Sequence, residues 1–453
     1  MTELKKPTEP RDLTLYRAAE EMRRGRLTAE ALVTSCLERI ESREGTVHAW
    51  VNLYVEEALE EARACDRAAA AHQWKGPLHG IPLGIKDIYD VAGQSTEAGS
   101  GAYPARVAGR DADSVARLRE AGAIVLGKTV TTAFAMGDAN ETRNPWNPAH
   151  TPGGSSQGSG AGVADRMCLA ALGTQTNGSV IRPASFNGVV GFKPGHGLIS
   201  IEGVLPLAWQ LDHVGTLTRS VEDAHLLWHL MRDARELEWE TTRDKLPPPL
   251  LPTAPRRVWR MREFFETEAH PEMVAALDAF CAVLAGRGVE IVERSLPPSF
   301  EGIHAAHHVI MASEAATVHK EGFAVNEGAY PPKISALIRE GMGIRAMDYV
   351  AALRHRVRLI GQMRAALGDV DAAVFPAAGG PAPEGLDSTG SPDFNTLSSL
   401  AGLPVVSLPT ALSSGGLPLG LQLLGREGGE EALLGVGAWC ESVLPFTHIP
   451  PER

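Results

Sequence analysis

Apolar positions recur every three to four residues over Leu13–Arg26, Thr28–Glu41 and Val55–Ala71. That spacing predicts three amphipathic helices at the start of the chain, with Thr28 placed to cap the second. The period then changes. Ile81–Ile85 is a short apolar strand ending at Lys86, Asp113–Ala121 is a helix stopped by Gly122, and Ala123–Leu126 is a buried strand. Further strands are predicted at Val189–Phe192, Arg257–Arg260, Val289–Glu293, Asp371–Phe375, Pro404–Leu408 and Leu417–Leu424. Helical spacing marks Ser220–Arg232, His270–Leu284, Ile303–His319, Ala346–Leu367 and Glu430–Val443. Helices alternating with short apolar strands predict a wound α/β sheet. The Pro-rich Leu246–Pro255 and a Gly/Pro-rich loop after Phe375 are connections.

One stretch fits neither period. From Thr151 to Pro194 the chain is crowded with glycine and with Ser and Thr hydroxyls, and between Asn144 and Phe192 its charged residues are Asp165, Arg166 and Arg182. A core segment is richer in Leu, Ile and Phe, and a linker carries more charge. Glycines there turn the backbone sharply or let it be approached closely, leaving N–H groups free to hold something. The composition is that of a buried catalytic floor.

The totals narrow the class. With 453 residues, 44% hydrophobic and 22% charged, the chain fits a water-soluble globular protein with a large core. A net charge of −12 argues against nucleic acid or an anionic membrane as partner. The five cysteines (Cys36, Cys65, Cys168, Cys281 and Cys440) form no metal-ligand spacing, and reduced thiols in a cytoplasm are expected. The N-terminal MTELKKPTEPRD lacks the apolar stretch of a signal peptide. The uncharged run Leu397–Gly425 is cut by Pro404, Pro409, Gly415, Gly416 and Pro418, so buried strands are expected there rather than a membrane helix.

Two short motifs match by chance. Gly122–Thr129 satisfies GxxxxGK[ST], but its middle residues form a strand and a helix precedes it, whereas phosphate binding needs strand, loop, then helix. Gly154–Gly158 satisfies the GxSxG nucleophile elbow with Ser156 as nucleophile, yet a loop rather than a strand leads into it. A serine esterase built on Ser156 would also need an acid and a histidine such as His196, His213 or His448. A third constellation joins a lysine to serines of the glycine-rich stretch. Amide hydrolysis needs a nucleophile, a base for its proton and donors for the oxyanion. Lysine serves as base only where desolvation or a positive neighbour lowers its pKa. Lys86, ending an apolar strand, suits that role; an equal claim is a salt bridge to Asp87 or Asp90.

The blocks GPLHGIPLGIKD, TPGGSSQGSGAGVA and GTQTNGSVIRPASFNGVVGFKP resemble the successive blocks of the amidase signature family. DSVARLREAGAIVLGKT, LDHVGTLTRSVEDA, the PAPEG loop and GLPLGLQLLGR follow in that family's order, so the resemblance covers nearly the whole chain. It implies an α/β/α sandwich with a mixed, mostly parallel twisted central sheet covered by helices. One amidase domain over residues 1–453 is implied, with a signature core at about 76–225, a variable helical cap at about 250–395 and a return to the sheet over 396–453. The implied Ser–Ser–Lys triad falls on Ser179 as nucleophile, Ser155 as bridging serine after a cis peptide bond, and Lys86 as base. The backbone N–H groups of Thr176, Asn177, Gly178 and Ser179 form the implied oxyanion hole, and Ser156 supports the network. The implied reaction is hydrolysis of a small carboxylic or urea-like amide by water through an acyl-enzyme, with no cofactor and no metal; the resemblance also allows a homodimer.

Three positions depart from the family's pattern. Gln175 stands where Asp is usual, Asn177 where a glycine is usual, and the arginine usually two places after the nucleophile is displaced to Arg182. The change at Asn177 is the milder, because Asn tolerates positive φ. A second role within the same family is the glutamine-hydrolysing subunit of a tRNA-dependent amidotransferase. His304 and His308 share a helical face, but no third metal ligand accompanies them.

Overall fold

The computed structural model describes residues 9–101, 106–233 and 245–452; most of the polar N-terminal stretch lies outside them. The first helices are Leu15–Arg23, Ala29–Val47 and Val55–Ala70, and the Thr28 hydroxyl caps the second by accepting the Ala31 N–H. The strands are β1 (Trp50–Leu53), β2 (Pro82–Lys86), β3 (Ser95–Thr96), β4 (Arg106–Val107), β5 (Ile124–Thr129), β6 (Ala170–Gln175), β7 (Val190–Lys193), β8 (His213–Thr218), β9 (Arg257–Arg260), β10 (Glu290–Glu293), β11 (Ala372–Pro376), β12 (Val405–Leu412) and β13 (Pro418–Leu424).

Eleven of these join one sheet in the order β1-β5-β2-β6-β8-β7-β12-β13-β11-β9-β10, while β3 and β4 form a small ribbon. The fold is mixed α/β, with parallel pairing at the two flanks. β5, β2 and β6 run parallel on one side and β11, β9 and β10 on the other. Between them the strands from β6 to β11 are paired antiparallel. Pro404–Gly425 supplies a hairpin of this antiparallel run, β12 and β13, joined through Ser413–Leu417. Gly122–Thr129 is the end of a turn followed by β5, with no phosphate cradle. No helix among the described residues is long and apolar enough to cross a membrane.

The expected helical cap does more than cover the sheet. Its helices Ile303–Asn326, Pro332–Gly343 and Ala346–Ala366 form a layer, but the same segment gives β9, β10 and β11 to one end of the sheet. The glycine-rich stretch is also more regular than its sequence indicates. It contains the helices Gln157–Ala164 and Ile181–Asn187 around β6. Gln157–Ala164 is buried at every position, so no polar face exists to give it a helical period. Its glycines are contact surfaces: a Cβ on Gly158 would lie 2.0 Å from the Ala49 carbonyl oxygen.

Candidate active site

Lys86 ends β2, and Thr174 and Gln175 end the neighbouring parallel strand β6. Parallel pairing brings their carboxyl-terminal ends to one edge, where open α/β sheets place their ligands. Beyond that edge a cavity of about 230 Å³ is lined by Ser155, Thr176, Asn177, Gly178, Ser179 and Arg182, among others.

Lys86 is fully buried. Its Nζ lies 2.7 Å from Ser155 Oγ and donates to Thr174 Oγ1 at 2.8 Å. Burial pushes the amine well below its ordinary pKa, against the opposing pull of the Asp212 carboxylate. The salt-bridge alternative for Lys86 is not what forms. Asp87 pairs with Lys128 at 2.9 Å and Asp90 with Arg106 at 2.5 Å. Both neighbouring carboxylates are thus engaged elsewhere, and the amine is left to two hydroxyls.

Ser155 follows a cis peptide bond, Gly154–Ser155. Its carbonyl accepts the N–H groups of Thr132 (3.2 Å) and Gln157 (2.9 Å). Arg182 Nη2 donates to the Gly154 carbonyl at 2.7 Å and to Thr389 Oγ1 at 3.2 Å. The hydroxyl of Ser155 is therefore presented to the cavity from a backbone fixed on both sides.

Ser179 lines the same cavity, on the turn that leads from β6 into helix Ile181–Asn187. Gln175, in the usual position of an acid, shapes that turn. Its Oε1 accepts the N–H groups of Val180 (2.9 Å) and Ile181 (3.0 Å), and its Nε2 donates to Ser399 Oγ at 3.1 Å. Ser399 in turn donates to the Asn177 carbonyl at 2.5 Å. An amide does here what a carboxylate cannot, since it both accepts and donates. The N–H groups it takes lie just past the four residues expected to hold an oxyanion. Asn177 needs no positive φ, correcting that expectation; its Oδ1 accepts the Thr396 hydroxyl at 3.1 Å instead.

Three supporting residues are not singled out by the sequence pattern, although Thr174 and Asp212 fall inside the GTQTNGS and LDHVG blocks. Asp212 receives the Thr176 hydroxyl at 2.5 Å and the N–H groups of Leu207 and Ala208, and burial raises its carboxyl to about 6. His307 Nε2 donates to the Thr176 carbonyl at 2.9 Å, which fixes its neutral tautomer, and burial lowers its pKa to about 4. Thr174 supplies the second contact of Lys86. The neighbours of His307 point elsewhere: His304 meets Thr396 and His308 meets Glu340. No group of three potential metal ligands occurs among the described residues.

Ser156 is not placed as a nucleophile. Its hydroxyl is fully buried against the backbone of Thr174, accepting that N–H at 3.3 Å and donating to its carbonyl at 3.4 Å. No strand leads into it, so the hydrolase elbow is not formed. His213, a candidate partner, has its Nδ1 at the Leu211 carbonyl, 2.6 Å away.

Comparison with known proteins places the fold in one family. Residues 31–434 match the family model described as Amidase. The chain is 35% identical to a glutamyl-tRNA(Gln) amidotransferase subunit of Nitratidesulfovibrio vulgaris (strain DP4), over 96% of this chain and 97% of that relative. A crystal structure of an amidase superposes with a TM-score of 0.86 at 34% identity, covering 95% of this chain and all of that one. The peptide amidase of Stenotrophomonas maltophilia superposes with a TM-score of 0.83 at 27% identity, covering 98% and 99%. The chain is an enzyme of amide C–N bonds and belongs to the amidase signature family.

Proposed function

We propose that this protein hydrolyses the C–N bond of a small amide through an acyl-enzyme on Ser179, with Ser155 as proton relay and Lys86 as general base. The observation that carries this reading is the buried Lys86 amine, 2.7 Å from a hydroxyl that shares a cavity with Ser179. A neutral amine donates to Thr174 Oγ1 while its lone pair accepts the Ser155 proton, and Ser155 in turn takes the proton of Ser179. Ser179 Oγ then attacks the amide carbon, and the N–H groups of the 176–179 turn receive the developing oxyanion. Return of the proton through Ser155 to nitrogen breaks the C–N bond and frees the amine or ammonia. Water repeats the path against the ester and releases the acid. The 230 Å³ cavity favours a small substrate.

A second reading has one specific support, the 35% identity to an amidotransferase component. Under it the same chemistry releases ammonia from glutamine, in a complex with partner subunits. The net charge of −12 favours the first reading, because it gives tRNA no basic surface across the chain as a whole. A fluorophosphonate probe tests the triad: wild type labels and Ser179→Ala does not. Labelling that survives Ser179→Ala but disappears in Ser156→Ala overturns it. Ammonia release from small amides by the chain alone separates the first reading from the second, which requires glutamine and the other subunits of the complex.

A further inference from the structure

Three successive carbonyls of the 176–179 turn are taken by donors from outside it. His307 Nε2, on the cap helix Ile303–Asn326, donates to the Thr176 carbonyl at 2.9 Å. Ser399 Oγ donates to the Asn177 carbonyl at 2.5 Å, and the Arg182 N–H to the Gly178 carbonyl at 3.0 Å. A trans peptide unit is planar, and its C=O points opposite to the N–H that follows. Fixing these carbonyls therefore fixes the directions of the Asn177, Gly178 and Ser179 N–H groups. All three residues line the cavity. Among the described residues, no protein group accepts from the Asn177 or Gly178 N–H. Backbone N–H groups left open on a cavity wall are donors for a ligand.

The Arg182 bond is local, between residues four apart at the start of a helix. The other two are not: His307 reaches the turn from 131 positions away and Ser399 from 222. Both side chains are buried, and neither is among the described residues that line the cavity. The ends of the turn are tied independently, Thr176 by its hydroxyl to Asp212 and Val180 by its N–H to Gln175. Loss of either distant donor thus leaves the chain path in place and frees one peptide plane to rotate. We infer that His307 and Ser399 are positioning residues of the oxyanion hole, His307 aiming the Asn177 N–H and Ser399 the Gly178 N–H. The cap then does more than enclose substrate, since one of its helices sets a donor for the charge that develops when Ser179 attacks. This rests on the amidase reading above and adds the residues that keep its donors aimed.

The competing role for both residues is packing alone. A fluorophosphonate probe separates the two, because attack by Ser179 expels fluoride and loads charge on the phosphoryl oxygen, which needs the same N–H groups. His307→Leu keeps an apolar side chain of similar size and loses the donor, whereas His307→Gln keeps a donor. In His307→Leu the maximal labelling rate is expected to fall about 100-fold, with the half-saturating probe concentration within about threefold of wild type. His307→Gln is expected to recover the rate to within about tenfold of wild type. Ser399→Ala, remote from the cap helix in the chain, is expected to show the same split. A wild-type rate in His307→Leu overturns the inference. So does a loss that His307→Gln shares in full, or one that falls on the half-saturating concentration and spares the rate. If a thermal melt shows that His307→Leu does not fold, Ser399→Ala decides alone, and an unchanged rate there overturns the inference. Failure of the amidase reading looks different: wild type takes no label, or Ser179→Ala labels as fast as wild type.

Discussion

Asp87 gives its carboxylate to Lys128, 2.9 Å away, and not to Lys86 beside it in the chain. Both partners are fully buried, and the Lys128 ammonium also donates to the Ser95 carbonyl and the Thr96 hydroxyl. This pair removes the carboxylate adjacent in the chain from Lys86 and so helps its amine remain neutral. Lys128→Met leaves Asp87 buried without a cation and is expected to cost about 3–5 kcal/mol, read from urea denaturation. Adding Asp87→Asn to it recovers part of that loss, because the stranded charge is gone. Equal stability of wild type and Lys128→Met contradicts the pairing.

Lys86→Met tests the base in two independent ways. Activity is expected to fall by about 100- to 10,000-fold, the range of a lost general base. Stability moves the other way. The folded-state pKa of Lys86 lies well below the ordinary 10.5 of the unfolded chain. Between those values the unfolded chain holds a proton that the folded chain lacks, so this lysine makes stability rise with pH by about 1.4 kcal/mol per unit. Met removes that slope. The variant is therefore more stable than wild type at neutral pH, and the gap narrows toward pH 10.5. Full turnover by Lys86→Met, or parallel stability curves, refutes the role.

Gln175→Glu isolates what an amide contributes where an acid is usual. The carboxylate can still accept the Val180 and Ile181 N–H groups, but Ser399 Oγ, already donating to Asn177, loses its donor. A loss of about 1–3 kcal/mol is expected at neutral pH. A buried Glu has a raised folded pKa, so the gap to wild type is smallest below the unfolded value of about 4.3 and grows as pH rises above it. Chemical denaturation at pH 4 and pH 7 reads both ends.

How far the sequence carries depends on what each element faces. Helix Glu430–Val443 occupies the span its pattern predicts because it presents one wet side and one dry side, and strand Arg257–Arg260 occupies its span as a short segment buried at three of its four positions. Helix Pro332–Gly343 is hidden in the sequence, since it opens on Pro331–Pro332 and is interrupted by Gly341 and Gly343. Gly341 is there because Ala312 crosses it so closely that a Cβ would overlap its carbonyl. At the site, Lys86, Ser155 and Ser179 are legible through whole motif blocks, which state residue types at fixed spacing. Asp212, His307 and Ser399 are not, for they reach the 175–179 turn from 30 to more than 200 positions away and their spacing in the chain says nothing of that. The PAPEG–DFN loop hides its role in the same way: Thr389 meets Arg182, and Asn395 packs on Gly178.

That last contact yields the sharpest test of the proposal that the 176–179 turn holds the oxyanion. A Cβ on Gly178 would lie 2.4 Å from Asn395 Oδ1, and Asn395 cannot swing away because its Nδ2 is held by the Ala377 carbonyl at 3.0 Å. Gly178→Ala must therefore push the turn away from Asn395 and misdirect the N–H groups of 176–179. The loss of one well-aimed oxyanion donor costs about 100- to 1000-fold in kcat, and that is the drop expected here. Asn395→Ala alone gives up the buried hydrogen bonds from its Nδ2 to the Ala377 carbonyl and, at 3.5 Å, to Gln422 Oε1, about 1–2 kcal/mol of stability. In the double variant the clash has no partner, so kcat should return to within about tenfold of Asn395→Ala. A double variant as slow as Gly178→Ala would mean that glycine serves this turn for some reason other than the room Asn395 denies it.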